Sequence, residues 1–325
     1  MEATLRSDEA LPIFESAAER FKEVTCTGLL NWGNVSVCVA HKLLDDLADS
    51  GADLGDDLAK RAEEAFTKAE ARYKEALGFH PDYFDGLCAL GQLEFERAKL
   101  RAKLIVKPTP PPPAAGTGAG ADADAERAAV EAAAAAQAEA LRAALAKVKK
   151  EDVEAARAHM DTASGWYKKA VAAAEAADAR RLQEQERRAA RRAGKEQQQA
   201  AAPATPEPQA TFAAQTRIME GNALFEWSQL LAAAGAAEWR GVLDSAVALF
   251  KAAACSDADV RGALKNHTHA AELDLGPEPA EQEQSAAAGG EKQGEKGEGK
   301  GKEEEKPAAA AKGLPSLDKK KKNKK

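Results

Sequence analysis

Aromatic side chains are scarce, with nine Phe, four Trp and three Tyr among 325 residues. This disfavours a sheet built on β-branched and aromatic residues, and the many alanines suit helices packed closely through small side chains. Cysteine is sparse as well. Cys26, Cys38, Cys88 and Cys255 lie far apart with no C-x-x-C pair, which argues against a zinc ribbon and a disulfide framework and for a reducing compartment. No stretch approaches the roughly 18 consecutive apolar residues of a membrane-spanning helix. The alanine run 129–146 is broken by Glu131, Gln137, Glu139 and Arg142. The acidic start, with Glu2, Asp8 and Glu9, has neither the apolar core of a signal peptide nor the acid-poor character of a transit peptide. A soluble, cytoplasmic protein is expected.

A dominant charge of one sign is missing too. The 46 basic and 53 acidic residues are largely interspersed and sum to −7, so the whole molecule is not an electrostatic nucleic-acid binder. Catalytic signatures are absent: there is no Gly-rich phosphate loop between a strand and a helix, no nucleophile elbow and no H-E-x-x-H. His267 and His269 flank Thr268 with no Cys or carboxylate at metal-ligand spacing, and are expected to form a surface pair. His80, before Pro81, is expected in a turn. No catalytic residue, no metal and no cofactor is expected, and the chain reads as a non-enzyme.

What is present is helical periodicity, so the expected class is all-α. After a flexible N-terminus (1–10), a helical domain is expected over 11–267. Ile13, Phe14, Ala17, Ala18, Phe21 and Val24 predict a helix over 11–24 that begins after Pro12. Leu29, Trp32, Val35, Val39 and Leu43 predict a second, ending near Gly51. A helix over 58–77 is stopped by Pro81, and Asp82 is expected to cap the next, which runs toward Ile105 before the prolines at 108 and 110–113. A linker at 108–125, an exposed Ala-rich helix at 126–152 and a disordered insertion at 193–211 follow. Between the last two, residues 153–177 carry an apolar stripe. Helices are expected from Phe212 to Gly235 and from Trp239 to Phe250, and a disordered Lys/Glu/Gly-rich tail over 276–325.

Two basic features interrupt this plan. Arg180, Arg181, Arg187, Arg188, Arg191 and Arg192 alternate with Glu184, Glu186 and alanines, the composition of a solvated helix face more than of a phosphate grip. The terminal lysine run fits a nuclear signal, a tether to an acidic surface or a solubilising tail.

One spacing recurs three times: Ala69, Tyr73, Ala76, then Ala163, Tyr167, Ala170, then Ala246, Phe250, Ala253. The helix before each copy carries a glycine followed by an amide, as Gly33-Asn34, Gly91-Gln92 and Gly221-Asn222. A tetratricopeptide repeat needs a small residue on its first helix and A-x3-F-x2-A on its second, often followed by proline as at Pro81. The physical reason is the close approach of two helices, with the aromatic filling the groove that the small residues leave. The regular distance from glycine to first alanine is about 12 residues in a unit of about 34. Here Gly33 to Ala69 is 36, Gly91 to Ala163 is 72 and Gly221 to Ala246 is 25. The expected architecture is thus a degenerate tetratricopeptide-like helical solenoid with long insertions and a disordered tail.

The strings Leu30-Asn31-Trp32-Gly33-Asn34-Val35, Ala89-Leu90-Gly91-Gln92-Leu93-Glu94-Phe95-Glu96, Gly221-Asn222-Ala223-Leu224-Phe225-Glu226 and Leu264-Lys265-Asn266-His267 resemble a known family. It comprises plant and algal proteins that combine tetratricopeptide repeats with a Phox/Bem1 domain, including the clumped-chloroplasts and Hsp-interacting proteins. The resemblance is to their C-terminal repeat region, and no Phox/Bem1 domain is recognisable in this sequence. It implies an adaptor or a chaperone-linked scaffold, some members being implicated in chloroplast positioning, and hence a location at the chloroplast periphery.

Repeat arrays bind partners on the surface lined by their first helices. Asn34, Gln92 and Asn222 occupy one equivalent place there, and Val37, Phe95 and Phe225 another, one turn later. The amides either form a ladder that grips an extended peptide whose side chains the apolar residues receive, or serve interhelical hydrogen bonds while the aromatics fill core. Chaperone tails are held by a clamp of Lys, Asn and Arg, because a desolvated carboxylate needs several charge-assisted donors. The corresponding places hold Leu30, Ala89, Gln215 and Met219, and Asn34 alone fits. A protein-interaction scaffold is the expected function, with a co-chaperone for Hsp70 or Hsp90 and a nucleic-acid binder as the alternatives.

Overall fold

The computed structural model describes residues 10–50, 54–106, 123–193 and 211–275. The expected flexible N-terminus and tail, and nearly all of the expected linker and insertion, lie outside the described residues. Eight α-helices are formed and no strand occurs among the described residues: α1 (Ala10–Ser50), α2 (Asp56–Phe79), α3 (Phe84–Arg101), α4 (Ala123–Leu145), α5 (Lys150–Ala193), α6 (Phe212–Ala233), α7 (Trp239–Ala252) and α8 (Asp257–Lys265).

Several boundaries differ from expectation for local reasons. The break expected between residues 24 and 29 does not occur, and α1 runs unbroken for 41 residues. Thr25 and Thr27 donate their hydroxyls back to the carbonyls of Phe21 (2.8 Å) and Glu23 (3.0 Å), which keeps their polar side chains within the helix. Burial of Cys26, Leu29, Gly33 and Ala40 then outweighs the weak helix propensity of the Thr-Cys-Thr-Gly segment. Asp82 does not cap α3; Tyr83 stands at the N-cap with no side-chain bond, and the helix ends at Arg101. The alanine-rich helix stops at Leu145, so the expected span of 126–152 is divided by a turn before Lys150. A last helix that periodicity missed, α8, opens with a reciprocal capping box between Ser256 and Asp259.

Neighbouring helices pair as α1 with α2, α3 with α5, and α6 with α7, and the pairs join through α2 to α3 and α5 to α6. Each pair is locked by a glycine under an aromatic ring. A Cβ on Gly33 would stand 2.8 Å from Tyr73 Cδ1, one on Gly91 3.1 Å from the Tyr167 ring, and one on Gly221 2.6 Å from Phe250 Cε1. Only glycine lets the ring settle onto the helix backbone at that distance. The flanking Ala69, Ala76, Ala163, Ala170, Ala246 and Ala253 are all buried, and Pro81 stands in the turn that follows α2.

The largest core lies among α3, α5, α6 and α7, around Phe95, Met160, Tyr167, Trp227, Leu230, Leu231 and Leu243. A second, around Phe66, Tyr73, Leu90 and Leu93, joins α1, α2 and α3. An ion network crosses between them. The buried Arg97 pairs with Glu63 (2.8 Å), Glu70 (2.8 Å) and Glu94 (2.7 Å), and Glu94 accepts from His159 of α5 at 2.7 Å.

His267 and His269 are not a surface pair. His267 is buried, stacked 5.2 Å from the Trp239 ring and edge-on to Phe225 at 5.4 Å. Its Nε2 lies 3.1 Å from Ser228 Oγ, whose own hydrogen goes to the Phe225 carbonyl at 2.6 Å. Its Nδ1 accepts the His269 backbone N–H at 3.1 Å. These partners fix a neutral ring protonated at Nε2. Burial, with His269 adding to it, lowers its pKa to about 4.

Candidate functional site

The first members of the three pairs, α1, α3 and α6, lie side by side, α3 touching both of the others. Their shared face forms a groove in two adjoining hollows. One, of about 310 Å³, is lined by Leu30, Asn34, Val37, Gln92 and Met219. The other, of about 680 Å³, is lined by Leu44, Lys99, Asn222, Phe225 and Glu226, with Gln137 and Leu141 of α4 as its far wall. His41 and Glu96 line both, so the hollows adjoin at these two residues.

The three amides thus come to one groove, in unequal states. Asn34 accepts the Tyr73 hydroxyl at 2.7 Å. Gln92 accepts the Tyr167 hydroxyl at 3.0 Å and donates to Glu96 at 2.8 Å. Both bonds serve the glycine–aromatic lock, since each tyrosine ends its path across the glycine on the next residue's amide. The third pair carries Phe250, which has no hydroxyl, and the exposed Asn222 has no hydrogen-bond partner among the described residues. The amide nitrogen of Asn34 and the whole carboxamide of Asn222 therefore keep hydrogen-bonding capacity at residues that line the groove. Burial pushes the Tyr73 hydroxyl up to about 12 and raises Tyr167 further, so both remain donors at any physiological pH.

The apolar residues divide as well. Val37 and Phe225 are partly buried and reach the groove, whereas Phe95 is 1% exposed in the main core and does not line it. Phe95 therefore cannot receive a partner's side chain. Its predicted place is explained by packing: the turn after Gly91 points inward against Met160 and Tyr167.

A polar centre on α3 escaped the sequence. Glu96 contacts His41 at 3.2 Å and Lys99 at 2.8 Å, and Lys99 lies 3.8 Å from Glu226. Burial alone would raise the Glu96 carboxyl, but the His41 hydrogen bond and the Lys99 ammonium outweigh it and hold it at about 2. The sequence signal was the run Glu94-Phe95-Glu96-Arg97, whose charges face two directions; helical spacing gave no means of telling that both directions are covered.

The arginines Arg180, Arg187 and Arg188 of α5 are exposed, with Arg188 paired to Glu184, and Arg181 lies 3.5 Å from Asp178 and 4.8 Å from the Phe212 ring. Asp178 accepts the backbone N–H groups of Phe212 (3.1 Å) and Ala213 (2.9 Å) at the start of α6. The side chains of Arg191 and Arg192 lie outside the described residues. Among the described residues no helix is long and apolar enough to cross a membrane.

Comparison with known proteins finds partial likenesses. The chain is 37% identical over 107 residues to the HSP-interacting protein of Zea mays, a match covering 31% of this chain and 14% of that protein. Protein PHOX1 of Arabidopsis thaliana is 31% identical over 107 residues, covering 31% of this chain and 14% of its own length. Protein PHOX3 of the same plant is 36% identical over 104 residues, covering 31% and 13%. The match thus spans about a seventh of the length of these relatives. No family model matches the chain, and no solved structure does.

Proposed function

We propose that the chain is a non-enzymatic protein-interaction scaffold, a degenerate tetratricopeptide-like solenoid whose first helices grip a peptide segment of a partner protein. The observation that supports this is the threefold lock of Gly33 with Tyr73, Gly91 with Tyr167 and Gly221 with Phe250, which brings Asn34, Gln92 and Asn222 to one groove. An extended peptide offers backbone carbonyls that the free amides of Asn34 and Asn222 can bond, and side chains that Val37, Met219 and Phe225 can cover. The polar centre of His41, Glu96 and Lys99 lies midway and selects for a partner with a polar residue there.

The test is affinity capture from plant or algal extract with the wild-type chain, a chain lacking residues 276–325, and the exposed-site variants Asn222→Arg and Met219→Lys. Partners retained by the first two and lost from both variants support the groove. Equal capture by all four chains rejects it.

The relative named for interaction with HSP raises a chaperone partner. The clamp positions disfavour one held by its C-terminal carboxylate, because Leu30, Ala89 and Met219 offer no donor to a carboxylate. Calorimetry with Hsp70 and Hsp90 C-terminal peptides is expected to show no binding at micromolar concentration. Micromolar binding would make the co-chaperone reading the better one.

A further inference from the structure

Helix α1 turns Cys26, Leu29, Gly33 and Ala40 toward the fold and leaves a second apolar stripe in solvent. Phe21 is 73% exposed, Trp32 59% and Val35 62%, and Phe14 and Val39 are at least half exposed. Ala18, Thr25 and Gly28 complete the stripe and are exposed too. Positions 14, 18, 21, 25, 28, 32, 35 and 39 alternate steps of four and three, the seam of a two-stranded coiled coil. Leu11, Ile13 and Val24 stand beside it and are exposed as well, and a run of large apolar side chains along one helix face marks an interaction surface.

The pattern also identifies what covers it. The spacing reads the same from both ends about a point between Thr25 and Gly28, and the two central pairs match in size while Ala18 stands opposite Val35. The small Thr25 and Gly28 are innermost, aromatic Phe21 and Trp32 come next, then Ala18 and Val35, and Phe14 and Val39 are outermost. A two-fold axis through that point lays a second copy of α1 antiparallel on the first. Thr25 then meets Gly28 of the second copy, Phe21 meets its Trp32, and Phe14 its Val39. Nothing lies within 4 Å of where a Cβ on Gly28 would stand, so the two backbones can approach at the crossing while the rings fill the space where the helices diverge. The Arg72 guanidinium lies over the Trp32 ring at 4.4 Å, holding that side chain in place beforehand. No charged residue interrupts the eight positions.

We propose that the chain forms an antiparallel homodimer through this face of α1, an isologous contact in which one stripe serves both subunits. Sedimentation velocity of the full chain from about 1 to about 100 µM tests it through the concentration dependence of a dimer. The wild type is expected to dimerise, and Phe21→Glu and Trp32→Glu are each expected to weaken self-association at least about tenfold with an unchanged circular-dichroism spectrum at about 20 °C, both side chains being exposed. In a Cys38→Ser background, Phe14→Cys mixed with Val39→Cys is expected to give an oxidative cross-link that neither variant forms alone. A wild type that stays monomeric overturns the proposal, as do a dimer that survives both glutamates and a cross-link from Phe14→Cys alone.

Discussion

Gly33 and Tyr73 share one contact that neither can yield: the tyrosine ring lies where the first carbon of any other side chain at 33 would stand, and its hydroxyl continues to Asn34 at 2.7 Å. The same relationship joins Gly91 to Tyr167 and Gly221 to Phe250. Gly33→Ala and Gly221→Ala are therefore expected to cost about 2–3 kcal/mol each, since the rigid ring or the helix must move. Gly165, also helical but with nothing within 4 Å of an added Cβ, is the control, and Gly165→Ala is expected to stabilise by about 0.5–1 kcal/mol. Urea unfolding of the three variants measures the contrast.

The third lock lacks its last bond. Tyr73 and Tyr167 reach Asn34 and Gln92, whereas Phe250 stops short of Asn222. Phe250→Tyr is expected to supply the missing bond and raise stability by about 0.5–1 kcal/mol, while Tyr167→Phe is expected to lose about 1 kcal/mol by leaving Gln92 without its donor. If Phe250→Tyr also weakens partner capture, the free amide of Asn222 is the group the partner uses.

The all-helical class and the three glycine–aromatic pairs were legible because close packing of small residues leaves a mark in composition and spacing that survives even when 72 residues separate Gly91 from Ala163. What was not legible depended on what came to lie against a residue. Phe95 has the sequence character of a groove residue and is core, and His267 looks like an exposed polar residue and is buried against Trp239. The polar centre at Glu96 was hidden for a similar reason: His41, Lys99 and Glu226 come from three helices, and no local pattern announces their meeting.

The neutral, buried His267 gives stability a dependence on pH in a defined window. The unfolded chain takes up a proton on this ring near 6.5, but the folded chain does not until about 4, so the unfolded state binds more protons between the two and gains as pH falls. Stability is therefore expected to be fully present above about pH 6.5 and to decline toward pH 4, by at most about 3 kcal/mol. Thermal melts of wild type and His267→Gln across this range check it. The variant is expected to begin less stable at neutral pH and to show a shallower slope; a slope unchanged from wild type would place the titrating group elsewhere.

Strain at one helix end offers the reverse test, a gain from changing a residue that contacts little. Ala254 follows α7 with φ 61°, in the left-handed region that a Cβ disfavours, and the chain accepts it because Cys255 N–H then closes on the Phe250 carbonyl at 3.0 Å. Gly235 does the same work after α6 with φ 71°, its successor Ala236 bonding to Leu231 at 2.9 Å, and there the residue is one that pays no steric penalty. Ala254→Gly removes the clash at the cost of a looser unfolded chain, and the balance is expected to favour the folded state by about 0.5–1 kcal/mol. Because Phe250 is the ring that locks onto Gly221, a firmer end to α7 is also expected to slow amide exchange around Phe250, measurable by hydrogen–deuterium exchange.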